Sequence, residues 1–170
     1  MSEILDIDRA VVIALGSNVA AGYGSSEALL EAVLARFPDA GLKILVRSSW
    51  WRSAAWPDPM GPEYRNGVAL VEASAPPEEV LSTLLALEAE FGRRRSVKNA
   101  PRTVDLDLIA HGREVRDEPG LVLPHPRAHE RLFVMGPLAQ VAPEWRHPVL
   151  GMTAAELAHR ARVGLDARPV

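Results

Sequence analysis

Apolar positions along this chain fall into short runs cut by proline, glycine and charged residues, and each run carries its own period. Positions 11–15 (VVIAL) are apolar throughout and stop at Gly16-Ser17-Asn18, the pattern of a buried strand ending in a turn. Ser25 or Ser26 is placed to cap a helix reaching about position 37, with Leu30, Val33, Leu34 and Phe37 as its stripe and Pro38-Asp39 as its stop. Positions 42 to about 51 mix β-branched, aliphatic and aromatic residues and predict a second strand. Positions 53–63 (SAAWPDPMGPE) carry three prolines and a glycine, which excludes a regular element. A loop of that length in a compact domain is usually functional. Positions 64–73 alternate loosely and predict a third strand. Pro76 and Pro77 open the clearest helix: Glu78 and Glu79 in its first turn, Val80, Leu84, Leu87 and Phe91 on one stripe, Gly92 at its end.

A basic loop with Arg93, Arg94, Arg95 and Lys98 leads into positions 101–112 (PRTVDLDLIAHG), which we read as the central strand, closed by a turn at His111-Gly112. After Leu121-Val122-Leu123, the run PHPRAHERLFVMGPLAQVAPEW predicts a short helix or two interrupted by Pro137 and Pro143. A last helix is expected near 153–162, with Thr153 and Glu156 spaced as a capping box. The order β-α-β-β-α-β predicts an α+β protein. It is that of a ferredoxin-like βαββαβ sandwich: a mainly antiparallel sheet, helices packed on one face of it, and extra C-terminal helices. No repeat, low-complexity segment or linker divides the chain, so residues 1–170 are expected to form a single domain. Such a fold hosts many functions and decides none.

Composition narrows the classes. Hydrophobic residues at 48% and charged residues at 24% are ordinary for a soluble domain, and a net charge of −3 argues against a general nucleic-acid binder. With no cysteine, disulfides, Cys-ligated zinc and thiol catalysis are excluded. The first ten residues carry acids where a signal peptide would be basic, and no apolar run approaches ~20 residues, so no membrane partner and a cytoplasmic location are expected.

The chemistry concentrates in DLDL. On a strand, Val104, Leu106 and Leu108 point one way and Asp105 and Asp107 the other, the carboxylates roughly 6.5–7 Å apart along the chain. Asp is disfavoured in strands and paired like charges repel, so the pattern suits either a Mg²⁺ site completed by water and phosphates or an edge strand with a wet acidic face. Arg102 tilts the reading toward phosphate, because guanidinium matches phosphate oxygens bidentately. No P-loop is present, since neither Lys43 nor Lys98 follows a glycine, and the glycine-rich fingerprints are also missing. Any ATP would be held by metal, arginines and side-chain pockets. The cations of positions 93–102 suit that task, or equally form a solvated basic loop. His125 and His129 stand i, i+4, but HPRAH lacks the glutamate of H-E-x-x-H and no third ligand is evident, so zinc is not favoured. Glu88 falls on a stripe with Leu81 and Leu85, as either a partly buried hydrogen-bonding residue or a boundary glutamate. From the residues alone, Tyr64 and Phe133 read as core aromatics.

Taken together, ALGSN at 14–18, the Y-x-N of Tyr64 and Asn66, GRRR at 92–95, PRTVDLDLIAHG and LPHPRAHERLFVMGPL at 123–138 resemble the 6-hydroxymethyl-7,8-dihydropterin pyrophosphokinases of folate synthesis. The motifs run in order over most of the chain; only the last twenty or so residues carry no match. The resemblance implies transfer of a pyrophosphoryl group from MgATP to the pterin hydroxymethyl oxygen, releasing AMP, with two Mg²⁺ bound with ATP. It puts the metal pair on Asp105 and Asp107 and the ring sandwich on Tyr64 and Phe133, with Asn66 as the pterin's amide partner and Ser53 and Trp56 in the first pterin loop. Arg93, Arg95 and Arg102 match the mobile-loop and phosphate-binding arginines, placed here as catalytic. Glu88, Leu108, His125 and Arg131 match nucleotide contacts. The expected partners are these small molecules, with no nucleic acid and a monomeric enzyme.

The chain also departs from the family pattern. Ser53-Ala54-Ala55 stands where Thr-Pro-Pro-like residues are common, so this loop is expected to have more freedom. Asn99 replaces a tryptophan in a basic loop about one residue shorter. Leu85, Pro126, Gly120 and Val122 replace a glutamine, a tyrosine, an arginine and a threonine seen in some members. These changes bear on nucleotide affinity and leave the expected metal and pterin positions intact. A D-x-D transferase using nucleotide sugars is disfavoured by the short chain. A ferredoxin-like ligand-binding or regulatory module without catalysis is the remaining alternative, and it would not need paired strand aspartates.

Overall fold

The computed structural model describes residues 6–19, 22–55, 60–92 and 104–170. Strand β1 (Val11–Ser17) is buried at all seven positions, as its unbroken apolar run requires. Helix α1 (Ser26–Arg36) starts at Ser25, whose side chain accepts the Ala28 N–H. The second predicted strand divides into β2 (Lys43–Arg47) and β3 (Trp51–Ser53). Ser48 causes the break: its N–H donates to Val68 O, but its hydroxyl rather than its carbonyl accepts the Val68 N–H. The side chain has taken over a ladder bond, and the backbone turns away. Trp50 then folds inward over Gly67, where a Cβ would lie 2.7 Å from the indole.

Strand β4 (Tyr64–Glu72) and helix α2 (Pro77–Gly92) follow the sequence pattern, with Val80, Leu84, Leu87 and Phe91 all buried on α2. Strand β5 (Asp105–His111) is next. A hairpin that the apolar pattern had not predicted, β6 (Arg116–Glu118) and β7 (Leu121–Leu123), turns at Pro119-Gly120 with Gly120 at φ +81°. Its strands have three residues each, too short for a visible alternation. Helix α3 (Leu132–Val141) runs through Pro137 rather than being interrupted there. Only one intrahelical bond is lost, and the adjacent Gly136 lets the Trp51 ring of β3 close on the helix, where a Cβ would stand 2.5 Å from it. Helix α4 (Ala154–Arg160) has the predicted capping box of Thr153 and Glu156. A two-residue strand, β8 (Arg168–Pro169), pairs with β3.

The main sheet is antiparallel and ordered β5-β1-β4-β3-β8, with β2 also on β4. One face packs Ile13, Leu15, Leu106 and Leu108 against α1 and α2; the other packs Val12, Ala14, Val68 and Leu70 against α3 and α4. The protein is therefore α+β with helices on both faces of the sheet, where the sequence pattern predicted one. The second layer comes from the C-terminal helices, whose apolar residues had no assigned place.

Candidate active site

The central strand folds as its alternation predicts. Val104, Leu106 and Leu108 are buried, while Asp105 and Asp107 are half-exposed on the opposite face. Register then sets their neighbours: Asp105 pairs with Gly16 and Asp107 with Ala14, while Gly16 also pairs with Asn66. Directly paired residues of antiparallel strands share a face, so Asp105, Gly16 and Asn66 form one row across three strands. Gly16 is the open space in that row; a Cβ there would lie 2.9 Å from Asn66 Oδ1.

This face floors a cleft of about 730 Å³, within the range of sites for drug-sized ligands. Tyr64 and Phe133 line it from β4 and α3, together with Ser53, Asn66, Asp105 and Asp107. Asn66 is buried and donates from Nδ2 to the Ser53 hydroxyl at 3.0 Å, which fixes its amide. Phe133 sits against Gly164, and the Arg131 guanidinium lies 5.8 Å from the Phe133 ring centre. The cleft thus brings two carboxylates and two aromatic rings onto one surface.

His125 lies near Asp107 and Arg131. Its backbone N–H donates to Ile109 O at 2.8 Å, and its ring Nδ1 accepts the Arg127 N–H at 3.1 Å, so the neutral ring carries its proton on Nε2. Burial lowers its pKa; Asp107 acts against this, and the positive charges of Arg131 and Arg127 add to it. The ring is thus a neutral Nε2–H donor at pH 7. Glu88 Oε2 accepts the Leu106 N–H at 2.8 Å, tying α2 to the strand that bears both aspartates. Leu108 is buried in the α1–α2 core, so any contact with a ligand would use its main chain. Trp56, Arg93, Arg95 and Arg102 lie outside the described residues.

Sequence reasoning missed two parts of the cleft. Gly16 looked like a turn residue, and its place beside Asn66 follows only from strand register. Val163, Gly164, Leu165 and Asp166 also line the cleft, from a stretch with no periodic signal.

Among the described residues no cluster of three or more His, Cys, Asp or Glu could hold a metal. Two carboxylates opening on a cleft fit a hard cation that takes its remaining ligands from water and phosphate, and do not fit a protein-enclosed zinc site. No helix among the described residues is long and apolar enough to cross a membrane.

Residues 12–143 match the family model for 7,8-dihydro-6-hydroxymethylpterin-pyrophosphokinase. A Synechocystis protein named 2-amino-4-hydroxy-6-hydroxymethyldihydropteridine pyrophosphokinase is 41% identical over 86% of this chain and 73% of its own length. The Pseudomonas aeruginosa protein of the same name is 37% identical over 81% and 83%. In fold, the chain is similar to the crystal structure of wild-type Plasmodium falciparum HPPK-DHPS, with TM-score 0.66 and 12% identity over 89% of this chain. It spans only 44% of that longer protein. By both the family match and these relatives, the chain belongs to the 7,8-dihydro-6-hydroxymethylpterin-pyrophosphokinase family.

Proposed function

We propose that this chain transfers the β,γ-pyrophosphoryl group of ATP to the hydroxymethyl oxygen of 6-hydroxymethyl-7,8-dihydropterin, in folate biosynthesis. The substrate oxygen forms a bond to the β-phosphorus, the bond from that phosphorus to the AMP oxygen breaks, and the hydroxyl proton passes to solvent water. The products are AMP and the pterin diphosphate. The observation that carries this reading is the row Asp105–Gly16–Asn66, with Asp107 on the same face, beside the slot lined by Tyr64 and Phe133.

Tyr64 and Phe133 would stack on the flat heteroaromatic, and Asn66, held by Ser53, would present its amide to the ring edge. Ser53, at the end of β3, lines that side of the slot, and Trp56 is assigned to the pterin on the resemblance alone. Asp105 and Asp107 would hold Mg²⁺, in our reading two ions, which screen phosphate charge and orient the in-line displacement. Arg131 and the His125 Nε2–H face the same region and suit phosphate oxygens. Glu88 and the Leu108 main chain are assigned to the nucleotide side, and Arg93, Arg95 and Arg102 to closing over the phosphates. Catalysis is then positioning and charge stabilisation, without a covalent intermediate.

The antiparallel order β5-β1-β4-β3, with α1 and α2 on one face, supports a ferredoxin-like frame within a single domain over residues 1–170. In our reading the enzyme acts as a monomer. Work in the cytoplasm fits ATP as donor. A non-catalytic module is disfavoured by the paired aspartates.

The test is Asp105→Ala and Asp107→Ala. Each should lower turnover by about a hundred- to a thousandfold, the scale of losing a main electrostatic contact to the transition state. The apo fold should keep its melting temperature or gain slightly, since like-charge repulsion is relieved. Unchanged turnover in both variants would sink the metal assignment.

A further inference from the structure

The family match ends at residue 143, yet residues 163–166 line the cleft. This segment is fixed at its start: Val163 O accepts the Leu132 N–H, and the N–H groups of Arg162 and Val163 both donate to Glu130 O, each at 2.9 Å. It therefore sets out beside Phe133. Gly164 has φ +68°, and a Cβ there would stand 2.5 Å from Phe133 Cδ1, so the ring rests directly on the glycine backbone. Two residues on, Asp166 Oδ2 accepts the Ala54 N–H at 2.6 Å, a charge-assisted bond onto the loop that follows β3. The chain then continues into β8, paired with β3. The segment is a strap joining the two walls of the slot.

We propose that this strap completes the substrate slot: Asp166 is a positioning residue that fixes the main chain at Ser53–Ala54–Ala55, and Gly164 is the seat that sets the Phe133 ring. The inference rests on the pterin reading of the slot given above. Residues 53–55 are small and line the slot, so their main chain is within reach of a ring bound there. Ordering it before the substrate arrives removes part of the entropy cost from the binding step. Seating Phe133 on a residue without a Cβ sets the width of the slot, and with it the preference for a flat bicyclic ring.

The experiment uses the full chain with ATP, Mg²⁺ and 6-hydroxymethyl-7,8-dihydropterin. It compares wild type with Asp166→Ala, Asp166→Asn and Gly164→Ala. Asp166→Ala should raise the KM for pterin, and its Kd by calorimetry, about tenfold, the scale of one charge-assisted hydrogen bond. Its kcat and KM for ATP should stay within about twofold of wild type. Asp166→Asn keeps an acceptor oxygen and should recover pterin affinity to within about threefold. Gly164→Ala should weaken pterin about tenfold or more, because the methyl displaces the ring. Wild-type pterin affinity in both Asp166→Ala and Gly164→Ala overturns the strap. So does a parallel fall in kcat, ATP affinity, pterin affinity and melting temperature, which would mark general loosening. Pterin binding without AMP formation by wild type would refute the proposed reaction, and the Kd comparison would still decide on the strap.

Discussion

Replacing Glu88 by alanine removes the acceptor that holds Leu106, the residue between the two aspartates. The Leu106 N–H faces outward from β5, the edge strand of the sheet, so no strand can replace the lost partner. Leaving a part-buried N–H unsatisfied costs about 1–3 kcal/mol; Glu88 is half-exposed and water can reach the vacated site, so the lower part of that range, about 1–2 kcal/mol, applies. In a chain of this size each kcal/mol moves Tm by about 2–4 °C, giving a fall of about 2–8 °C. The strand would also lose its tether to α2, and a shift of the aspartates by a fraction of an ångström should lower kcat about tenfold or more. Glu88→Gln keeps an amide oxygen for the same N–H and should restore most of both. The assay is thermal unfolding with steady-state AMP formation on all three proteins. A Glu88→Ala protein with unchanged Tm and kcat but a raised KM for ATP would refute the tether and leave Glu88 as a nucleotide contact alone.

Other outcomes follow from single contacts. Gly16→Ala should push the Asn66 amide from its place and weaken pterin about tenfold, by calorimetry; unchanged affinity would remove Asn66 from the slot. His147 is buried, its pKa pushed down to about 4, first by burial and then by His129 and Arg113, while its Nδ1 accepts the Val149 and Leu150 N–H groups. The unfolded imidazole titrates near 6.5, so between pH 6.5 and about 4 the unfolded chain binds a proton that the fold refuses. Stability should therefore fall as pH drops through that window, by at most about 3 kcal/mol, and His147→Asn should flatten the fall in urea titrations; an equal slope in the variant would contradict this. Substitution of Arg93 or Arg95 should reduce turnover more than pterin binding, and equal losses would argue against a lid role.

Much of this was legible in the sequence because the signals were local. The DLDL alternation fixed which side chains face the core, and the α2 stripe and the capping box of α4 needed only spacing. Signals that depend on distant partners were hidden. Ser48 breaks a strand by taking an N–H from Val68, and nothing near Ser48 announces it. Pro137 lies inside α3, and the neighbouring Gly136 admits Trp51 from another element. Gly16 becomes part of the site through register with Asn66, and residues 163–166 through hydrogen bonds to Glu130 and Leu132. Composition cannot carry such contacts. The loop at 53–55 was expected to be freer without prolines; the Asp166 carboxylate on the Ala54 N–H supplies a restraint from the far end of the chain.

The most direct test of the central claim is AMP release from ATP, measured with and without Mg²⁺ and with and without 6-hydroxymethyl-7,8-dihydropterin. AMP should form only when metal and pterin are both present, in step with pterin diphosphate. AMP formed without pterin, or none formed with all components present, would contradict it.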